Sequence, residues 1–113
     1  MSIQAQILVG GDVTQSSAVD NATATATIGA TEGVIQRVLG VSADYSAAVS
    51  AIKTITITAK KTVVFRWDFS NGAFHLSLPV ALPGVINTAV TVALEASGSG
   101  GTTGRVTAYH FAN

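Results

Sequence analysis

Ala22-Thr23-Ala24-Thr25-Ala26-Thr27-Ile28 alternates an apolar residue with a threonine at every step. Successive side chains of an extended strand point to opposite faces, so this stretch has one apolar face and one hydroxyl-bearing face. Threonine's stiff χ1 favours the pleated backbone over a helix. The same period returns in Lys53-Thr54-Ile55-Thr56-Ile57-Thr58 and in Thr88-Ala89-Val90-Thr91-Val92-Ala93-Leu94. The chain is therefore read as all-β, built from half-buried strands.

Asn71-Gly72 is the sharpest local turn signal, because both residues tolerate the positive φ of a type I′ hairpin. With that loop, Phe69 faces Phe74, Asp68 faces His75, Trp67 faces Leu76 and Phe65 faces Leu78. One face then carries Phe65, Trp67, Phe69, Phe74, Leu76 and Leu78; the other carries Arg66, Asp68, Ser70, Ala73, His75 and Ser77. A one-residue slip scrambles both faces. The hairpin is expected to supply the aromatic core, with Trp67 inside.

Further strands are expected near residues 3–9, 34–45 and 104–111, the second with a glycine bulge at Gly40. Residues 10–20, 79–87 and 96–104 read as connections, Lys60-Lys61 as a solvated turn, and residues 46–51 as a short helical turn. About eight short antiparallel strands with no helix-length period bury their apolar faces in two packed sheets or a closed barrel. The long connections favour an antiparallel β-sandwich, specifically an eight-stranded jelly roll. Residues 1–20 are expected to form an N-terminal strand or arm with a connector, and residues 21–113 the sandwich domain.

The chain's 113 residues include only six Lys or Arg and six Asp or Glu. That is 11% charged, against about 25% in an ordinary soluble domain. A monomer of this mass exposes roughly 5,700 Å², and so few charges cannot cover it. Ala, Thr, Val and Ser must cover the rest, which suits a surface largely covered by other protein. Scattered basic residues and zero net charge leave no electrostatic footprint for nucleic acid or an anionic membrane. No cysteine is present, so disulfides, thiolate metal sites and thiol redox chemistry are excluded. The start Met1-Ser2-Ile3-Gln4-Ala5 lacks the basic and apolar regions of a signal peptide, and use without secretion is expected.

Candidate chemistry is sparse. Asp68 and His75, facing each other across the expected hairpin, read as a cross-strand polar pair rather than part of a Ser-His-Asp triad. No Gly-x-Ser-x-Gly turn accompanies them. His75, His110, Asp68 and Asp44 are the conceivable metal set, at spacings that do not suit zinc. Asp12, Asp20 and Glu32 are too dispersed for a calcium loop. Gly98-Ser99-Gly100-Gly101-Thr102-Thr103-Gly104 lacks the Gly-Lys-Ser/Thr ending of a phosphate loop and is read as a flexible contact loop. Tyr45, Tyr109 and Phe111 would form a sugar platform if exposed together. No catalytic, cofactor or metal site is expected. The expected contact residues are Ala22, Thr23, Ala24, Thr25, Ala26 and Thr27 together with Gly98, Ser99, Gly100 and Gly101.

The second half carries a resemblance. Trp67-Asp68, a tight turn and Phe74-His75-Leu76 lead into Pro79-Val80-Ala81-Leu82-Pro83-Gly84. Then come Asn87-Thr88-Ala89-Val90-Thr91-Val92-Ala93-Leu94 and the glycine-rich passage ending in Gly104-Arg105-Val106. Residues 50–113 so read resemble small structural proteins of tailed bacteriophages, of the capsid decoration or cement type. The resemblance implies a virion protein made in the host cytoplasm, without enzymatic activity, that clamps neighbouring major capsid proteins as a homotrimer. Two other readings stay open: a tail or receptor-binding component of the virion, and a carbohydrate-binding β-sandwich module.

Overall fold

The computed structural model describes residues 12–49, 51–70 and 74–112. Through them run nine strands: β1 Asp12–Gln15, β2 Val19–Asp20, β3 Ala24–Ile28, β4 Gln36–Tyr45, β5 Lys53–Ala59, β6 Thr62–Phe69, β7 Phe74–Pro83, β8 Val90–Leu94 and β9 Thr103–Ala112. No helix occurs among the described residues, and residues 46–49 form a bend and an irregular passage instead of the expected helical turn.

The antiparallel pairs are nested. β5 pairs with β6, β4 with β7, β3 with β8, and β1 and β2 both pair with β9. Two more antiparallel ladders, β4 with β9 and β5 with β8, join these pairs into sheets. The five-stranded sheet runs β1-β9-β4-β7, with β2 also beside β9, and the four-stranded sheet runs β3-β8-β5-β6. The all-β, two-sheet antiparallel architecture agrees with the alternation in the sequence.

Parity explains the core. Ala24, Ala26 and Ile28 of β3, Ile55, Ile57 and Ala59 of β5, and Val90, Val92 and Leu94 of β8 all point inward. Val38, Val41 and Ala43 of β4 meet them from the other sheet, with Val106 and Ala108 of β9. This is one shared apolar cluster, so the arrangement is sandwich-like. Full burial of each branched side chain contributes about 1.5–3 kcal/mol.

Gly40 sits where the sequence places a bulge. The register of β4 against both neighbours shifts between Val38 and Gly40. A Cβ there would lie 2.7 Å from the Leu76 carbonyl oxygen, so only glycine allows the backbones this close.

Four expectations need correction. First, β6 and β7 do not form a hairpin with each other. Lys53 pairs with Phe69 in one sheet, and Ala43 pairs with Phe74 in the other. The turn residues Asn71 and Gly72 lie outside the described residues, as does the strand expected at 3–9. Alternation dictates which face of β6 turns inward, but either sheet offers an apolar neighbour. Second, Trp67 is 45% exposed, because β6 is the outermost strand of its sheet. Aliphatic side chains fill the core. Third, the stretch read as a connector at 10–20 contains β1 and β2. Fourth, β7 runs through the expected proline-rich connection to Pro83, which pairs with Arg37. As an edge strand it tolerates prolines, since its outer side needs no N–H donor.

The hairpin that does form joins β5 to β6. Ala59 pairs with Thr62, and the two-residue loop between them has φ of 50° at Lys60 and 65° at Lys61. Positive φ at both loop residues is the type I′ geometry, which lysine adopts at a cost. Replacing Lys60-Lys61 by Asn-Gly is expected to stabilise the protein by about 1 kcal/mol, read as a rise of about 4 °C in Tm by circular dichroism. Ile57→Ala, in the core, is expected to cost about 2–5 kcal/mol in urea denaturation. Ile52→Ala, at a side chain 68% exposed, is expected to stay within about 0.5 kcal/mol of the native protein.

Candidate functional site

The residues that do not face the core form two outer surfaces of opposite character. On the five-stranded sheet, register lines up Gln15, Thr107, Ser42 and His75 across β1, β9, β4 and β7. The next row brings Tyr109 against Gly40 and Gly40 against Ser77, and on the other side Arg105 lies against Asp44. Across these rows the outer surface carries a depression of ≈ 420 Å³, lined by Gln15, Ser42, Asp44, His75, Arg105 and Tyr109, among others.

Hydrogen bonds hold these side chains in place. Gln15 Nε2 donates to Thr107 Oγ1 at 2.8 Å. Ser42 Oγ lies 2.6 Å from His75 Nδ1 and donates to the Tyr109 hydroxyl at 3.2 Å. His75 Nε2 lies 3.1 Å from Ser77 Oγ. With Ser42 donating to Tyr109, His75 Nδ1–H donates to Ser42, which leaves the Tyr109 O–H free to donate outward. The His75 and Tyr109 rings meet edge to face, 5.7 Å between centroids. Arg105 Nη2 lies 3.4 Å from Asp44 Oδ2.

The outer face of the four-stranded sheet is dominated by threonine, with Arg66 and Asp68 on its β6 side. One row across β3, β8, β5 and β6 reads Thr27, Thr91, Thr58 and Val63, and the next reads Thr25, Ala93, Thr56 and Arg66. Asp68 pairs with Thr54 beyond them, accepts from Thr54 Oγ1 at 2.7 Å, and lies 3.7 Å from Arg66 Nε. At the edge, Val63 is 56% exposed. Trp67, half-exposed on the other side of β6, stacks on Phe65 at 6.3 Å.

The residues singled out in the sequence divide between these places. Thr25 and Thr27 point outward on the four-stranded sheet, with Ala22 and Thr23 exposed just before β3. Ala24 and Ala26 face the core at 1% exposure, so their side chains are not available to a partner. Gly98, Ser99, Gly100 and Gly101 are exposed. That loop is tied to the approach to β3: Asn21 Oδ1 accepts from Gly98 N–H at 2.9 Å, and Asp20 Oδ1 from Gly101 N–H at 2.7 Å. The fold thus brings the two expected contact segments together at one end.

Asp68 and His75 are on different sheets, so the cross-strand pair expected between them does not exist. Each instead finds a hydroxyl partner on the strand beside it, Thr54 on β5 and Ser42 on β4. Tyr109 and Phe111 share the outer face of β9. Tyr45 faces inward, stacks on Phe69 and donates to the Glu95 carbonyl at 2.6 Å, so the three rings form no common platform. Burial, reinforced by the Glu95 carboxylate, pushes the Tyr45 hydroxyl up to about 12. Among the described residues no three His, Asp or Glu side chains gather as a metal site. Sequence reading missed Gln15, Ser42 and Arg105, and paired His75 wrongly. Their only common signal is outward parity on four strands, which becomes a cluster only once the strand order is known.

His110 stands apart, on the core side of β9. Its Nε2 lies 2.7 Å from Thr14 Oγ1, and its buried Nδ1 has no hydrogen-bond partner among the described residues. Burial lowers its pKa from 6.5, opposed by the nearby Asp12 carboxylate.

Comparison with known protein families, with characterised proteins and with solved structures returns no match.

His110 makes stability depend on pH. The unfolded chain takes up the His110 proton near 6.5, while the folded chain keeps the ring neutral to lower pH. Between those two values the unfolded state binds more protons, so stability falls as the pH drops below 6.5 and levels off below the folded value. Urea denaturation from pH 7.5 to 5 is expected to show this loss, and His110→Gln to flatten it. Parallel curves for the two proteins would remove His110 as the cause.

Proposed function

We propose that this chain is a phage virion structural protein, a capsid decoration or cement subunit that clamps neighbouring major capsid proteins as a homotrimer. The observation that carries the proposal is the outer face of the four-stranded sheet. Its rows across β3, β8 and β5 are uncharged and mostly threonine, and they end on β6 in the exposed Val63 and in Arg66. Hydroxyls and methyls can be covered by a second copy without the desolvation cost of buried charges. β6 is the outermost strand of its sheet among the described residues, and its exposed Val63, Val64 and Trp67 invite cover by protein.

We also read the two sheets as a jelly roll. The nested pairs β5·β6, β4·β7, β3·β8 and β1/β2·β9 support this, since they are what a long folded hairpin gives when it is rolled into two sheets. Double-sheet jelly rolls are a recurrent architecture of viral capsid domains. In the proposed assembly the threonine face meets neighbouring copies. The loop 98–101, tied to Asp20 and Asn21, forms a rim that touches the capsid. Individually weak contacts hold because several copies engage at once.

Size-exclusion chromatography with light scattering is expected to give three times the 11.4 kDa mass of one chain. Thr91→Lys places a charge among Thr27, Thr58 and the neighbouring rows, and is expected to give folded monomers with a native circular-dichroism spectrum and a Tm lowered by the loss of association. Cosedimentation with expanded capsids tests the capsid partner. A native protein that stays monomeric and does not cosediment would rule out the cement reading.

A further inference from the structure

We infer that the depression on the outer face of the five-stranded sheet is a binding site for a neutral saccharide unit. This inference does not rest on the assembly reading, because the site lies on the sheet opposite the threonine face.

Its size and walls define the ligand class. A volume of ≈ 420 Å³ lies within the range of about 300–1,000 Å³ typical of small-molecule sites. Among the described residues that line it, the one Lys or Arg side chain, Arg105, is already compensated by Asp44 at 3.4 Å. An anion therefore meets a carboxylate as soon as it meets the guanidinium, and a wholly apolar ligand leaves hydroxyl, amide and imidazole groups of the lining without partners. A hydroxyl-rich neutral molecule suffers neither mismatch.

The unused hydrogen-bonding capacity points the same way. Tyr109 has an O–H left to donate once Ser42 donates to it. The Gln15 carbonyl oxygen, the second Asp44 oxygen and the remaining Arg105 N–H groups complete a mixed set of acceptors and donors. Sugar hydroxyls donate and accept at once, and paired side chains such as Asp with Arg serve both functions. The Tyr109 ring, half-buried beside the bare Gly40 backbone, gives apolar surface for the C–H face of a pyranose. Cross-strand bonds already fix Ser42, His75, Gln15 and Tyr109, so binding orders few side chains and loses little conformational entropy.

The test uses the full-length ¹⁵N-labelled protein. Glucose, galactose, mannose, rhamnose and N-acetylglucosamine are titrated separately to about 20 mM, enough to saturate a site of millimolar Kd. Sodium phosphate and sodium acetate are titrated in parallel. At least one sugar is expected to shift the amides of Ser42, Asp44, Arg105 and Tyr109 while those of Val63 and Trp67 stay in place. Tyr109→Ala and Asp44→Asn are each expected to weaken that response by about tenfold or more. Two separate substitutions keep the test intact if one of them unfolds the protein, which the dispersion of the spectrum reveals. Silence towards all five sugars overturns the assignment. Shifts confined to β6 overturn it, and so does a response to phosphate or acetate as large as to any sugar.

Discussion

Every feature of this molecule depends on burying one face of each sheet against the other. Ile55, Ile57, Val92 and Leu94 meet Val41, Val106 and Ala108, and none of the seven retains exposed surface. Strand geometry allows each side chain only two directions, inward or outward. Once the inward set is committed, its alternates are forced into water or onto a partner. The threonine rows and the polar depression are therefore consequences of the core. A substitution that moved the register by one residue would destroy the core and both outer surfaces together.

The ends of the fold are held by polar contacts rather than by apolar burial. Ser97 Oγ, buried, donates to the Thr102 carbonyl at 2.9 Å and accepts from Ser99 N–H at 3.2 Å. Asn21 and Asp20 bind the same loop from the other side. At the opposite end Asn87 Oδ1 accepts from Gly33 N–H at 2.5 Å, and buried Gln36 donates to the Gly29 carbonyl at 3.2 Å. Lys53 is buried with its ammonium 3.9 Å from the Glu95 carboxylate. In a chain with few charges, side-chain amides and hydroxyls perform much of the loop anchoring. Loops fixed this way present defined surfaces at little further entropic cost, a useful property in a proposed contact rim.

Much of the secondary structure was legible in advance. The strands at 24–28, 53–59 and 90–94 follow from alternation, and β9 from its apolar-polar run. The bulge follows from Gly40. Less of the connectivity was legible. Asn71-Gly72 is a stronger type I′ signal than Lys60-Lys61, yet the described type I′ hairpin is at the lysines. Tertiary pairing, not the local turn signal, decides the neighbours of β6 and β7: β6 forms its ladder with β5, and β7 forms one with β4. Trp67 has the right parity for the core but the wrong strand position, since an outermost strand leaves part of its inner face uncovered. Of the expected contact residues, Thr25, Thr27 and 98–101 lie at the surface, whereas the alanines between the threonines had to face inward by the same parity.

The sequence by itself determined the class of structure, the inward and outward residues of most strands, and the shortage of surface charge. These are local properties of a backbone with a period of two, and composition needs no fold at all. Only the tertiary structure decided which strands are neighbours, and with that the polar depression. Gln15, Ser42, His75 and Arg105 come from four strands and are far apart along the chain, so their meeting depends on ladder register. Many pairings of similar alternating strands satisfy the same inward-outward pattern. The choice among them falls to the combined packing of the two sheets and the closure of the loops, which no single stretch of sequence encodes.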